Sequence, residues 1–181
     1  LDSMPGASDL LVERIRRQVS PHKASVSEWV EAIRTLARHG LKSSATMTYG
    51  LGETLAEKVA HLDVIRTTQD ECQNLMAFIP WSFSPANTQL AHLPQATGVD
   101  YLKIVAIGRI YLDNITYTQS GWLTEGLKLA QIALTMGAND MGGVLTEELV
   151  VKATGITTAV TQTQMIDLIT NAGKIAVQRD S

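Results

Sequence analysis

Apolar positions along the chain follow two alternating spacings. Over residues 8–19, Leu11, Ile15 and Val19 recur every four positions, which predicts a helix with one buried stripe. Ser25, followed three residues later by Glu28, forms a capping box ahead of Trp29, Ile33 and Leu36, and Gly40 ends that helix. KSSATMTY (42–49) is the first strand candidate, with Gly50 behind it. The same order then returns. Thr54 and Glu57 cap a helix whose Leu55, Val59, Leu62 and Ile65 share a face as far as about Gln69, and LMAFIP (75–80) is the next strand. Asp100 is the expected cap of a helix through Tyr101, Ile104, Val105 and Ile110. NITYTQ (114–119) alternates apolar and polar residues as a strand does. Residues 123–136 read as one helix stopped by Gly137, and GANDMGG (137–143) as a very short strand and turn. A helix is expected near 146–153, and Thr161 with Gln164 caps a last one ended by Gly173.

Four strands alternating with helices predict an α/β fold with a parallel sheet. Parallel strands place the residues that follow them on one rim. That rim is the active face of a barrel and the binding crevice of an open sheet. Tyr49, Gly50 and Glu53 follow the first strand; Trp81, Ser82, Phe83 and Asn87 follow the second. Gln119, Ser120 and Trp122 follow the third; Asn139, Asp140, Gly142 and Gly143 follow the fourth. These residues are therefore the candidate site.

Each carries a structural reading beside the functional one. Gly50-Leu51-Gly52-Glu53 lets backbone approach a ligand, or is a plain turn with an acidic residue at a helix start, which the dipole favours anyway. Trp81 and Phe83 offer flat faces to a ring, or fold back on the core. Asn87 bonds a ligand or caps a turn. Asn139-Asp140-Met141-Gly142-Gly143 is the sharpest local signal, because paired glycines after two polar side chains suit polar or anionic groups.

Composition narrows the class. The chain has 181 residues, 45% hydrophobic and 18% charged, which fits one globular domain. A net charge of −3 argues against nucleic acid as a partner. The basic cluster Arg14, Arg16, Arg17 and Lys23 reads as a solvated helix face. No apolar run suits a membrane helix, and no charged-then-apolar leader predicts secretion. The single cysteine, Cys72, cannot pair within the chain, so a cytoplasmic setting is expected. His22, His39, His61 and His92 lack ligand spacing and read as surface residues.

LDSMPG (1–6), SATMTYGLGET (44–54), AFIPWSFSPANT (77–88), RIYLDNI (109–115), QSGWLTEG (119–126), GANDMGG (137–143) and QRD (178–180) occur in this order. Together they resemble the C-terminal half of the radical S-adenosylmethionine (SAM) enzymes of menaquinone biosynthesis by the futalosine route, nearest to the cyclic dehypoxanthinyl futalosine synthases. Aminofutalosine synthase and the two-part deazaflavin synthase are the related alternatives. FIPWSF followed by Pro85 and Asn87-Thr88 is the specific piece.

The resemblance implies a (β/α)8 TIM barrel, of which residues 1–181 would be a single partial domain. Residues 1–6 would end strand four, and the strands above would be five to eight. It implies that an N-terminal half with three closely spaced cysteines and a [4Fe–4S] cluster is absent, so this chain would bind no cluster and cleave no SAM alone. By the same resemblance Tyr49, Gly50 and Glu53 would contact SAM. Trp81, Ser82, Phe83, Asn87, Gln119, Asn139 and Gly143 would hold a futalosine-type small molecule. Arg109 and Arg179 would grip its carboxylate, and Asp140 would accept a proton after ring closure. The expected partner is the missing half or, for the chain alone, a second copy in a homodimer. A competing reading is a stand-alone α/β binding or assembly module without catalysis.

Overall fold

The computed structural model describes residues 3–144 and 160–179. Its strands are β1 (Ser3–Met4), β2 (Lys42–Tyr49), β3 (Leu75–Ser82) and β4 (Tyr117–Thr118), forming one sheet in the order β1-β2-β3-β4. Every pairing is parallel. The helices are α1 (Glu13–Val19), α2 (Val26–Arg38), α3 (Leu55–Cys72), α4 (Gly98–Tyr111), α5 (Trp122–Glu125), α6 (Leu127–Ala133) and α7 (Gln162–Asn171). A parallel bridge between Gln119 and Asp140 adds the start of one more strand position. The helix expected near 146–153 lies outside the described residues.

Local chemistry explains most boundaries. The expected capping boxes of Ser25 and Glu28, Thr54 and Glu57, and Thr161 and Gln164 all form. A further box starts α4, but there Thr97 is the cap and Asp100 is the third helical residue that answers it. Helix α1 begins at Glu13, not near residue 8, because residues 6–12 form a loop held by hydrogen bonds across the end of β2. Thr48 N donates to Asp9 O at 2.9 Å, and Asp9 N donates to Thr46 Oγ1 at 2.9 Å. The single helix expected over 123–136 is two, divided by Gly126 at φ 85°.

The third expected strand, 114–119, shortens to Tyr117–Thr118. Its first residues go instead to the turn that closes α4, where Ile115 N donates to Leu112 O at 3.0 Å. At its other end Gln119 N reaches Phe78 O at 2.8 Å, and the next rung on that side of β3 would need an N–H that Pro80 lacks.

The sheet has two unlike faces. Ala45, Met47 and Tyr49 of β2 share register and side with Phe78, Pro80 and Ser82 of β3, and the first four are fully buried beneath the helices. Phe78 packs on Gly108 of α4, where an added Cβ would come within 2.5 Å of the ring, so only glycine lets α4 lie this close. Thr46, Thr48, Ile79 and Trp81, continued by Tyr117 and Gln119, occupy the opposite face, called here the inner face.

His61 is buried, not at the surface. Its Nδ1 accepts from Leu11 N at 2.9 Å, so α3 is tied to the segment after β1. Burial above all, with nearby Arg16 adding to it, pushes its pKa down to about 3. The folded chain keeps this ring neutral while the unfolded chain protonates it near 6.5. Stability is therefore expected to be full above pH 6.5 and to fall as pH drops from there toward 3, with a slope approaching about 1.4 kcal/mol per pH unit. Urea titrations at several pH values check this. A His61→Gln variant that keeps the wild-type slope would exclude His61 as its source.

Candidate functional site

The loop after β2 is built by its own carboxylate. Gly50 and Gly52 sit at φ 91° and 86°, a left-handed region that favours glycine. Glu53 folds back beneath them: Gly50 N donates to Oε1 at 2.8 Å and Leu51 N to Oε2 at 2.7 Å. Lys58 lies 3.4 Å from the same carboxylate, whose side chain is 1% exposed. Glu53 thus shapes the loop from below and does not present its charge to a ligand. Tyr49 also departs from expectation. Its side chain is on the helix side, fully buried, with Lys58 Nζ 5.4 Å from the ring centroid. Its hydroxyl has no hydrogen-bond partner among the described residues. Burial, with Glu125 next, raises its pKa far above that of an ordinary phenol.

After β3, the strand alternation separates neighbours. Trp81 stands on the inner face, half-buried, its Nε1 donating to Thr48 Oγ1 at 2.7 Å. Ser82 turns the other way, and both its N–H and its hydroxyl donate to Glu125 Oε1 at 2.7 Å. Ser82 is therefore an anchor for the end of β3, not a residue turned to the inner face. Phe83 N donates to Tyr49 O at 2.8 Å, which carries the β2–β3 ladder one rung past the strand end. Asn87 is exposed at φ 62° in the turn from Pro85 to Thr88, a position that favours asparagine for its backbone.

Sequence reasoning missed Glu125. In a helix over 123–136 it falls in the first turn, where the dipole favours an acidic residue, so the sequence carries no signal of its role. It also missed the loop after β1. Arg16, read as part of a solvated face, is buried and donates to Ser8 O at 2.8 Å and to Ala24 O, and burial lowers its pKa. Trp29 Nε1 donates to Gly6 O, and Ser8 Oγ donates to Thr46 O at 2.8 Å. This over-determined loop holds Ala7 and Asp9 at φ 41° and 45°, a strained conformation for side chains with a Cβ. Between it and the ends of β2 and β3 lies a cavity of about 150 Å³. Leu10, Ile15, Leu51 and Phe83 wall it, with Asp9 and Lys23 ion-paired at its polar side.

On the far side, Gln119 lies on the inner face over Gly142, where a Cβ would come within 2.7 Å of its Nε2. Asp140 is held at both oxygens. Gly142 N donates to Oδ1 at 2.8 Å, while Arg179 Nε and an Nη donate to Oδ2 at 3.0 and 2.8 Å. The Arg179 guanidinium also lies 4.9 Å from the centroid of Tyr117. Gly143 is exposed with open space around it.

Two expected ligand contacts lie elsewhere. Asn139 Oδ1 accepts from Thr118 N at 2.8 Å and its Nδ2 donates to Thr116 O at 3.0 Å, so the carboxamide extends the ladder of β4. Arg109 is near the C-terminal end of α4, beside Gly137, and donates to Thr116 O at 3.2 Å. Because α4 runs antiparallel to the strands, that places Arg109 at the opposite end of the sheet from the rim.

Comparison with solved structures gives the class. The crystal structure of methylornithine synthase matches 97% of this chain and 52% of its own, with a TM-score of 0.72 at 13% identity, a likeness of fold alone. The fold is four parallel strands alternating with helices, half of a (β/α)8 barrel. The chain belongs to the family described as the CofH/MqnC C-terminal region, whose model matches residues 72–180. Cyclic dehypoxanthine futalosine synthase of Streptomyces coelicolor is 41% identical over 180 residues, 99% of this chain and 45% of that protein. Aminodeoxyfutalosine synthase of Thermus thermophilus is 39% identical over all of this chain and 50% of its own. The 5-amino-6-(D-ribitylamino)uracil–L-tyrosine 4-hydroxyphenyl transferase of Methanococcus vannielii is 35% identical over all of this chain and 53% of its own. The chain thus spans about half the length of the curated relatives it matches.

Proposed function

We propose that this chain supplies the substrate-placing half of a cytoplasmic radical SAM enzyme that cyclises dehypoxanthine futalosine in menaquinone biosynthesis. One observation carries the reading: the loop after β1, the glycine loop after β2, and Trp81 and Phe83 after β3 gather around one end of the sheet. The relatives' names give the substrate class, and FIPWSF favours the cyclase over the aminodeoxyfutalosine and transferase alternatives.

The residues fit SAM and do not fit the cluster. The cavity beside Gly50 and Gly52, about 150 Å³ and walled by apolar side chains, opens outward and would take part of the adenine. Leu51 and Phe83 would flank the adenine, the bare backbone of the glycine loop would lie along it, and Asp9 would stand near the sugar. SAM bound there supplies the hydrogen-abstracting chemistry. Cluster ligation needs several thiolates, whereas Cys72 is the only cysteine and ends α3, at the pole away from the rim. Burial also pushes its thiol pKa up. Among the described residues, no group of three or more His, Cys, Asp or Glu could hold a metal. The cluster therefore belongs to other polypeptide, which would also cover the inner face.

This chain's own work is placement. Trp81, fixed by Thr48, offers its ring to the aryl group of the substrate. Gln119 bonds a sugar or keto oxygen from the same face, and Asp140 accepts the proton lost as the aryl ring regains its aromaticity, a step that also gives up one electron to an acceptor outside this chain. Asn139 and Glu125 act at a distance, by holding β4 and the end of β3. No described helix is long and apolar enough to cross a membrane.

The test reunites this chain with a cysteine-bearing half and follows SAM cleavage with and without dehypoxanthine futalosine. An aromatic contact is worth about 0.5–1.5 kcal/mol beyond its buried area, so Trp81→Ala is expected to reduce substrate-dependent turnover about ten-fold or more. Turnover unchanged from wild type would remove Trp81 from the substrate site.

A further inference from the structure

In the segment after α7, Arg179 is bonded to Asp140 itself, a contact on which the function proposed above does not draw. Gly173, at φ 71°, ends the helix, and residues 174–179 return without regular secondary structure. The body of this segment gains little from packing, since Ile175 and Val177 are 90% and 80% exposed. Its attachments gather at its end. Gln178 meets Gln162 at 3.4 Å, and Arg179 makes its two hydrogen bonds to Asp140 while lying over Tyr117. Tyr117, Gln119 and Asp140 follow the inner face, so the guanidinium lies on that face at its β4 side.

The two partners differ in exposure. The Asp140 side chain is 8% exposed and is also held by Gly142 N, so it belongs to the body of the fold. Arg179 is 34% exposed and sits on an otherwise loosely packed segment. If the pair opens, the tail is the part that moves.

We propose that residues 174–179 form a strap, latched by Arg179 across the β4 side of the inner face, which a ligand group must displace to reach Asp140. The consequence for substrate rests on the function proposed above; the latch does not. Displacement is chemically simple, because a ligand carboxylate can replace Asp140 as the partner of the guanidinium. Asp140 is then left with one oxygen free and the other still on Gly142 N.

Limited trypsinolysis of the chain tests the latch. Cleavage after Lys174 reports strap release, and cleavage after Lys103, inside α4, reports opening of the whole fold. A partly exposed ion pair predicts that Arg179→Ala and Asp140→Asn each raise the Lys174-to-Lys103 cleavage ratio about five-fold. The double variant should rise no further than either single, because both remove one interaction. Single variants with the wild-type ratio, or effects that add in the double variant, overturn the latch. A variant that merely unfolds raises both cleavages together and leaves the other variant to decide. If the latch holds but Arg179→Ala leaves kcat/KM of the reunited enzyme unchanged, the strap stands and the placement of substrate at Asp140 falls.

Discussion

Phe78→Ala is expected to lower the unfolding free energy by about 3–5 kcal/mol, seen as a fall in the urea midpoint with little change in slope. Phe78 is fully buried in β3, which pairs with both β2 and β4. Its ring fills the gap over Gly108 that brings α4 against the sheet, and glycine has no side chain to move into the space left behind. The loss should also reach the rim. Gln119 N hydrogen-bonds Phe78 O, and the Gln119–Asp140 bridge follows from that rung. A destabilisation below about 1 kcal/mol would mean that α4 can settle onto the sheet, contrary to the close packing that Gly108 permits.

Glu53→Ala is expected to have the second largest effect, on both stability and SAM affinity. The variant leaves the N–H groups of Gly50 and Leu51 without their acceptor in a nearly buried place, at about 1–3 kcal/mol for each donor that water does not reach. It also leaves Lys58 beside the Tyr49 ring without its counter-charge. The glycine loop, no longer held from below, should sample many backbone conformations, and SAM binding should weaken about ten-fold or more in the reunited enzyme. Glu53→Gln keeps one acceptor and should fall between. Calorimetric titration with SAM, beside urea unfolding of each variant, makes the comparison. Wild-type affinity in Glu53→Ala would show that the carboxylate does not shape the site.

These two results separate what each level of description carries. The alternation of helix and strand was legible because helix caps are local. Ser25 with Glu28, Thr54 with Glu57, and Thr161 with Gln164 act across three residues and need nothing from the rest of the fold. The rim was legible for a related reason, since parallel strands deliver the residues after them to one end. Gly50, Trp81, Phe83 and Asp140 were found that way. The strand over 114–119 is shorter than its alternation suggests because the turn from Leu112 to Ile115 takes its first residues and Pro80, nearly forty positions earlier, ends its pairing, and a single window shows neither. His61 and Arg16 were assigned to the surface because a polar residue declares its type and not its neighbours. Both are buried by satisfying backbone groups of the loop after β1.

Within the rim, direction was the harder question. Tyr49 and Ser82 stand where ligand contacts were expected, yet one residue of strand parity sends them to the helix side, while Thr48 and Trp81 face the open side. Arg109 was placed near the site on its chemistry, but its position along α4 puts it at the other end of the sheet.

By itself, then, the sequence determined the alternating elements, their parallel order, the single rim and the family, because caps, periodicity and motif spacing are properties of neighbours along the chain. Only the tertiary structure decided which side chains on that rim are open, that Glu53 and Glu125 build it from behind, and that Arg179 returns to Asp140 from 39 positions away. The physical reason is that hydrogen bonds and ion pairs are satisfied by whatever the fold brings within about 3 Å, and separation along the chain does not say what that will be.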